Sequence, residues 1–126
     1  MAANKPQSTK EEILSSIGDI DGFEVMHNQI LVGIYMRGAK IGSIFIPEKT
    51  QDEDRWQGKV GLVLKKGPIA FQNDGSNDFG GQNVEVGDWV IYRVSDGFSI
   101  DINETHCRLL EDVHIKGRVS DPSLIY

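Results

Sequence analysis

Hydrophobic positions along this chain keep two rhythms. Ile13, Leu14 and Ile17 recur at helical spacing. They follow Ser8 and Thr9, each with a glutamate three residues on, Glu11 and Glu12, which is the pattern that caps a helix start. The spacing predicts a short helix over 9–17, stopped by Gly18. With one narrow apolar stripe, a helix this short is marginal in water and must fray or lie against something larger. Asp19-Ile20-Asp21-Gly22 then reads as a linker or turn.

From Phe23 onward the period is two, with turn signals at the intervals of an all-β barrel or sandwich. Ile30, Val32 and Ile34 alternate with Leu31, Gly33 and Tyr35. Val60, Leu62 and Leu64 alternate with Lys59, Gly61 and Val63 until Gly67-Pro68 ends the run. Gly87-Asp88 feeds a nearly continuous apolar run over 89–94. Ser95-Asp96-Gly97 turns it back into Phe98, Ile100 and Ile102, which predicts a hairpin between those two strands. A last strand takes in Cys107 to Leu110, after which Val113, Ile115 and Val119 are expected to face inward and His114, Lys116 and Arg118 outward. The division expected is an N-terminal arm with a short helix (1–22), a β domain (23–119) and a tail (120–126), with the β domain still folded when 1–22 is removed.

Two segments break the strand rhythm. Residues 38–57 make a connection of about 20 residues, well beyond the usual few, and loops of that length tend to be functional or disordered. It contains the apolar triplet Ile44-Phe45-Ile46 between Gly42-Ser43 and Pro47. From pattern alone the triplet reads either as one more core strand or as an exposed interaction segment. Residues 71–82, rich in Asn, Asp, Ser and Gly, form a second excursion, an irregular hairpin with Asp74-Gly75 near its tip.

Composition narrows the function classes. At 126 residues the chain is one domain's worth, and no apolar run approaches the roughly 20 residues of a membrane-spanning helix. The first residues, Met1-Ala2-Ala3-Asn4-Lys5-Pro6, lack the pattern of a secretory signal, and a single cysteine cannot form an internal disulfide, so a reducing cytoplasmic setting is expected. A net charge of -6 repels phosphate backbones, so nucleic acid is not the expected partner. Asp52-Glu53-Asp54 reads as a solvated run. His27, His106, Cys107 and His114 are the soft-metal candidates, but none has a zinc-ligand spacing, and neighbours 106 and 107 point to opposite faces of a strand. No Gly-x-Ser-x-Gly elbow or glycine-rich phosphate loop is present. No catalytic residue, metal or cofactor is expected. Trp89, and less clearly Trp56, read as core aromatics.

The order of pieces carries a resemblance. Asn28-Gln29-Ile30-Leu31-Val32 is followed by the long loop with Gly42-Ser43-Ile44-Phe45-Ile46-Pro47. Then come Gln57-Gly58-Lys59-Val60 and Val84-Glu85-Val86-Gly87-Asp88-Trp89-Val90-Ile91-Tyr92. Over 23–119 this resembles the GroES-like co-chaperonin family. The stretches Glu53-Asp54-Arg55-Trp56-Gln57-Gly58 and His106-Cys107-Arg108-Leu109-Leu110-Glu111-Asp112 look more like bacteriophage-encoded relatives.

The resemblance implies a small β-barrel that assembles into a homo-oligomeric ring, of seven subunits in that family, and caps an ATP-driven chaperonin. By position, Gly42, Ser43, Ile44, Phe45, Ile46 and Pro47 match the docking segment of a mobile loop. The excursion bearing Phe71, Asn73, Asp74, Gly75 and Phe79 matches the roof over the cavity. Weak contacts from single loops, multiplied around a ring, would suit a lid that must leave. For a phage-encoded member the setting is the host cytoplasm and the client a capsid protein. The alternative is a virion structural protein, a capsid decoration or stabilising subunit that reuses the fold.

Overall fold

The computed structural model describes residues 7–36, 40–41, 44–45, 59–73 and 78–125. Helix α1 spans Lys10–Ile17. Its N-cap is Thr9, whose Oγ1 accepts from Glu12 N at 3.1 Å, while the Glu12 carboxylate accepts from Ser8 N at 3.1 Å and from Ser8 Oγ at 2.7 Å. Gly18, at φ 64°, ends the helix and donates its N–H to Leu14 O.

Among the described residues eight strands follow: β1 (Gln29–Ile34), β2 (Lys40–Ile41), β3 (Ile44–Phe45), β4 (Val60–Lys66), β5 (Trp89–Ile91), β6 (Phe98–Ile102), β7 (Thr105–Glu111) and β8 (Gly117–Val119). Six of them form one antiparallel sheet in the order β6-β7-β1-β4-β5-β8, and β2 pairs with β3 alone. The described fold is all-β with one short helix.

The sheet is covered on both sides, and its alternation shows in two clusters drawn from alternate positions of the same strands. One gathers Leu31, Val60, Leu62, Leu64, Trp89 and Cys107 under Ile13 and Ile17 of α1. The other gathers Ile30, Val32, Val63, Val90 and Leu110 under Ala70, Val84 and Tyr92. Trp89 is buried, meeting Tyr35 edge to face at 5.7 Å. The register shifts between Leu31 and Val32, which pair with Lys65 and Val63, so Leu64 is the extra residue of a bulge in β4.

The arm is part of this packing. Ile13 and Ile17 are 0% and 1% exposed, and Gln7 is 1% exposed. Past the domain's other expected boundary, Pro122 is buried and Ile125 packs against the same cluster as α1.

Three strand readings are corrected. The turn at 95–97 does not join a hairpin: β5 pairs with β4 and β8, while β6 pairs with β7 at the far end of the sheet. The hairpin that does form turns at Asn103 and Glu104, at φ 50° and 64°, the doubly left-handed turn that matches strand twist. The run over 89–94 leaves the ladder after Tyr92, whose N–H donates to Lys59 O, because the backbone then folds into a turn closed by Asp96 N to Arg93 O. Val113 faces out, 38% exposed, because the chain winds into a 3-10 turn over Asp112–His114 instead of extending β7.

Candidate functional site

The docking segment inferred from the sequence falls partly outside the described residues, which exclude Gly42, Ser43, Ile46 and Pro47. Ile44 and Phe45 form β3, paired with Ile41 and Lys40 respectively in a hairpin separate from the six-stranded sheet. Trp56 also lies outside the described residues.

The second excursion is built from its base. Phe71 sits at φ 62°, a left-handed conformation uncommon for a bulky residue. Two contacts hold it there. Its N–H donates to Asp112 Oδ2 at 2.9 Å, and its ring meets Phe79 edge to face, centroids 5.4 Å apart. Asn73 Oδ1 accepts from Phe79 N at 2.8 Å and closes the neck, while Asp74 and Gly75 lie outside the described residues. Of the five predicted excursion residues, the structure therefore brings Phe71, Asn73 and Phe79 together.

Asp112 is the residue that sequence reading missed. It is 4% exposed, and its Oδ1 accepts from Asn28 Nδ2 at 3.1 Å. One carboxylate thus joins the entry to β1, the neck of the excursion and the end of β7. An acid directly after an apolar strand was the only signal for it.

A groove of about 870 Å³ runs between the excursion and the 112–118 segment. Phe71, Phe79, Val84 and Ile115 give it an apolar bed, with Lys116 and Arg118 along one bank. Arg118 is engaged, its Nη1 donating to Asn83 O at 3.4 Å and lying 3.3 Å from Asp88 Oδ2.

Arg108, 7% exposed, organises the opposite corner. Its guanidinium donates to Asp96 O at 2.5 Å, Val94 O at 2.6 Å and Ser99 Oγ at 3.3 Å, and lies 5.8 Å from the centre of the Tyr92 ring. A buried cation satisfied by carbonyls fixes the 93–99 turn that sequence reading took for a hairpin. At the edge of this turn the hydrogen bond and charge of Arg93 outweigh the desolvation of Asp96 and hold its carboxyl below the ordinary range. Burial pushes Tyr92 well above the ordinary phenol range.

The soft-metal candidates are dispersed. His106 Nδ1 pairs with Asp101 Oδ1 at 3.0 Å, and His114 Nδ1 accepts from Glu111 N at 3.0 Å. Among the described residues no three His, Cys, Asp or Glu side chains converge as a metal site, and no helix is long and apolar enough to cross a membrane. No model of a known protein family matches the chain, and no curated protein matches it.

Proposed function

We propose that the chain is a co-chaperonin-like ring subunit with a GroES-like barrel, capping an ATP-driven chaperonin and assisting the folding of a client such as a phage capsid protein. The observation that carries the reading is the placement of Ile44 and Phe45 in a hairpin that shares no ladder with the six-stranded sheet. An apolar segment whose ladder is separate from the sheet suits a docking element. The clasped base of the 71–82 excursion supports its part as a roof, since a lid needs a rigid stem. Docking would place Phe45 in an apolar groove of the chaperonin, with several copies on the ring adding their weak contacts.

Sedimentation velocity of the chain with a bacterial chaperonin, with and without ATP, tests this directly. Nucleotide-dependent co-sedimentation, abolished by Phe45→Asp, is the expected result. Independent sedimentation in every nucleotide state overturns the reading, and stable incorporation into phage particles alongside it would put a structural role in its place.

A further inference from the structure

The first cluster of the core contains a socket shaped for the arm. Gly33 in β1 has no side chain, and a Cβ there would stand 2.7 Å from Ile13 Cγ2, so the missing methyl is the space that Ile13 fills. Gly33 pairs directly with Cys107 of β7, whose 0% exposed side chain belongs to the cluster that Ile13 and Ile17 cover. The β1–β7 ladder stops at that pair. At the next position Gln7 takes over: its Nε2 donates to Ile34 O at 2.8 Å and His106 O at 3.0 Å, its Oε1 accepts from His106 N at 2.8 Å, and its own carbonyl accepts from Met36 N at 3.0 Å. A side-chain amide thus fills the gap where two strands part.

The other end of the arm is fastened by side chains too. Asn103 Nδ2 donates to Ile17 O at 2.6 Å, and Ser16 Oγ lies 2.7 Å from Thr105 Oγ1. Between the clasps only α1 touches the sheet, and no residue of 7–17 belongs to a strand ladder. Beyond Ile17 the chain is exposed at Gly18, Asp19, Asp21 and Gly22, with Ile20 half-buried, and nothing lies within 4 Å of where a Cβ would sit on Gly18 or Gly22. Among the described residues, lifting 7–17 off therefore breaks two clasps and one apolar contact face but no strand-to-strand bond of the sheet.

We propose that residues 7–17 form a latch, hinged over 18–22, that opens as one unit while the six-stranded sheet stays paired and that uncovers the socket beside Gly33 and Cys107. The proposal does not rest on the co-chaperonin reading. Contiguous segments with few ladder bonds are those that open below the global unfolding free energy. In the closed state Cys107 is a natural reporter, because burial and the nearby Asp101 charge push its thiol up to about 12 and keep it unreactive.

The test uses the full chain and a small aromatic disulfide reagent, with amide exchange followed by mass spectrometry in parallel. Under native conditions the Cys107 thiol and the α1 amides should exchange at rates reporting one common opening, faster and less denaturant-dependent than the amides of Leu31, Leu62 and Leu64. Gln7→Ala, which removes three side-chain bonds, should raise Cys107 reactivity about tenfold or more and leave those strand amides unchanged. If Cys107, α1 and the strands all open together in the wild-type chain, the latch does not exist as a unit. Unchanged Cys107 reactivity in Gln7→Ala would equally overturn it.

Discussion

Two short segments stand outside the six-stranded sheet and meet it in different ways. Helix α1 lies on the sheet through Ile13 and Ile17, clasped by Gln7 and Asn103. The β2–β3 hairpin forms a separate two-stranded ladder among the described residues. Both carry a few apolar residues among polar ones, and composition alone does not separate them. The difference lies in the sheet, which leaves out a side chain at Gly33 to receive Ile13. A segment for which the sheet has a socket is part of its packing, whereas a segment paired in its own ladder is the one the proposed docking role requires.

Deleting residues 1–22 tests the first half of that contrast with the largest expected effect. Uncovering the surface beneath Ile13 and Ile17 forfeits roughly 1.5–3 kcal/mol for each buried isoleucine, against a total stability of about 5–15 kcal/mol for a domain. A melting temperature lower by roughly 10–25 °C is expected, with the β signal in circular dichroism retained below it. A shift of only a few degrees would make the arm an ornament, and complete loss of β signal would make arm and sheet one inseparable unit.

The socket itself is addressed by a double-mutant cycle. Ile13→Ala should cost about 2–5 kcal/mol as a core cavity, and Gly33→Ala about 1–3 kcal/mol by overpacking against Ile13 Cγ2. Because the methyl added at 33 occupies space vacated at 13, the double mutant should be less destabilised than the sum by at least about 0.5 kcal/mol. Strict additivity in urea unfolding would show that Gly33 and Ile13 do not form a socket.

The excursion lies between these extremes, since it is fastened at its neck. Asp112→Asn keeps the size but replaces one acceptor by a donor, so either Phe71 N or Asn28 Nδ2 loses its partner. A loss of about 1.5–3 kcal/mol is expected, read by chemical denaturation, together with faster amide exchange at Phe71. Unaltered stability would mean that the carboxylate is not what holds Phe71 in its left-handed conformation.

Much of the fold was legible because period-two alternation and helix capping are local. The strands around Ile30, Val60, Phe98 and Cys107 and the helix ending at Gly18 all lie where those patterns put them. Pairing was not legible. Ser95-Asp96-Gly97 carries a stronger turn signal than Asn103-Glu104, yet Arg108 uses the first turn as an anchor and the second makes the hairpin. The same holds for the site. Phe71, Asn73 and Phe79 stood out by composition, whereas their clasp to Asp112 spans 41 residues and follows no local pattern. The fit of Ile13 to Gly33 is likewise a contact between distant residues that neither position announces alone.

The smallest expected effect belongs to the hairpin, and it decides what the apolar triplet is for. Phe45→Asp introduces a charge into β3, whose bonds are to β2 and not to the six-stranded sheet. If the segment serves a partner, the free chain should lose less than about 0.5 kcal/mol, within the usual range for substitutions away from the core, and its melting temperature should move by no more than about 2 °C. If Phe45 instead fills a core position, the same charge would be stranded in apolar surroundings and the loss would run to several kcal/mol. Measured on one preparation beside chaperonin binding, the two quantities separate the roles. Intact stability with lost capping assigns the hairpin to docking, whereas a collapse of stability returns the triplet to the core and leaves the contrast with α1 without foundation.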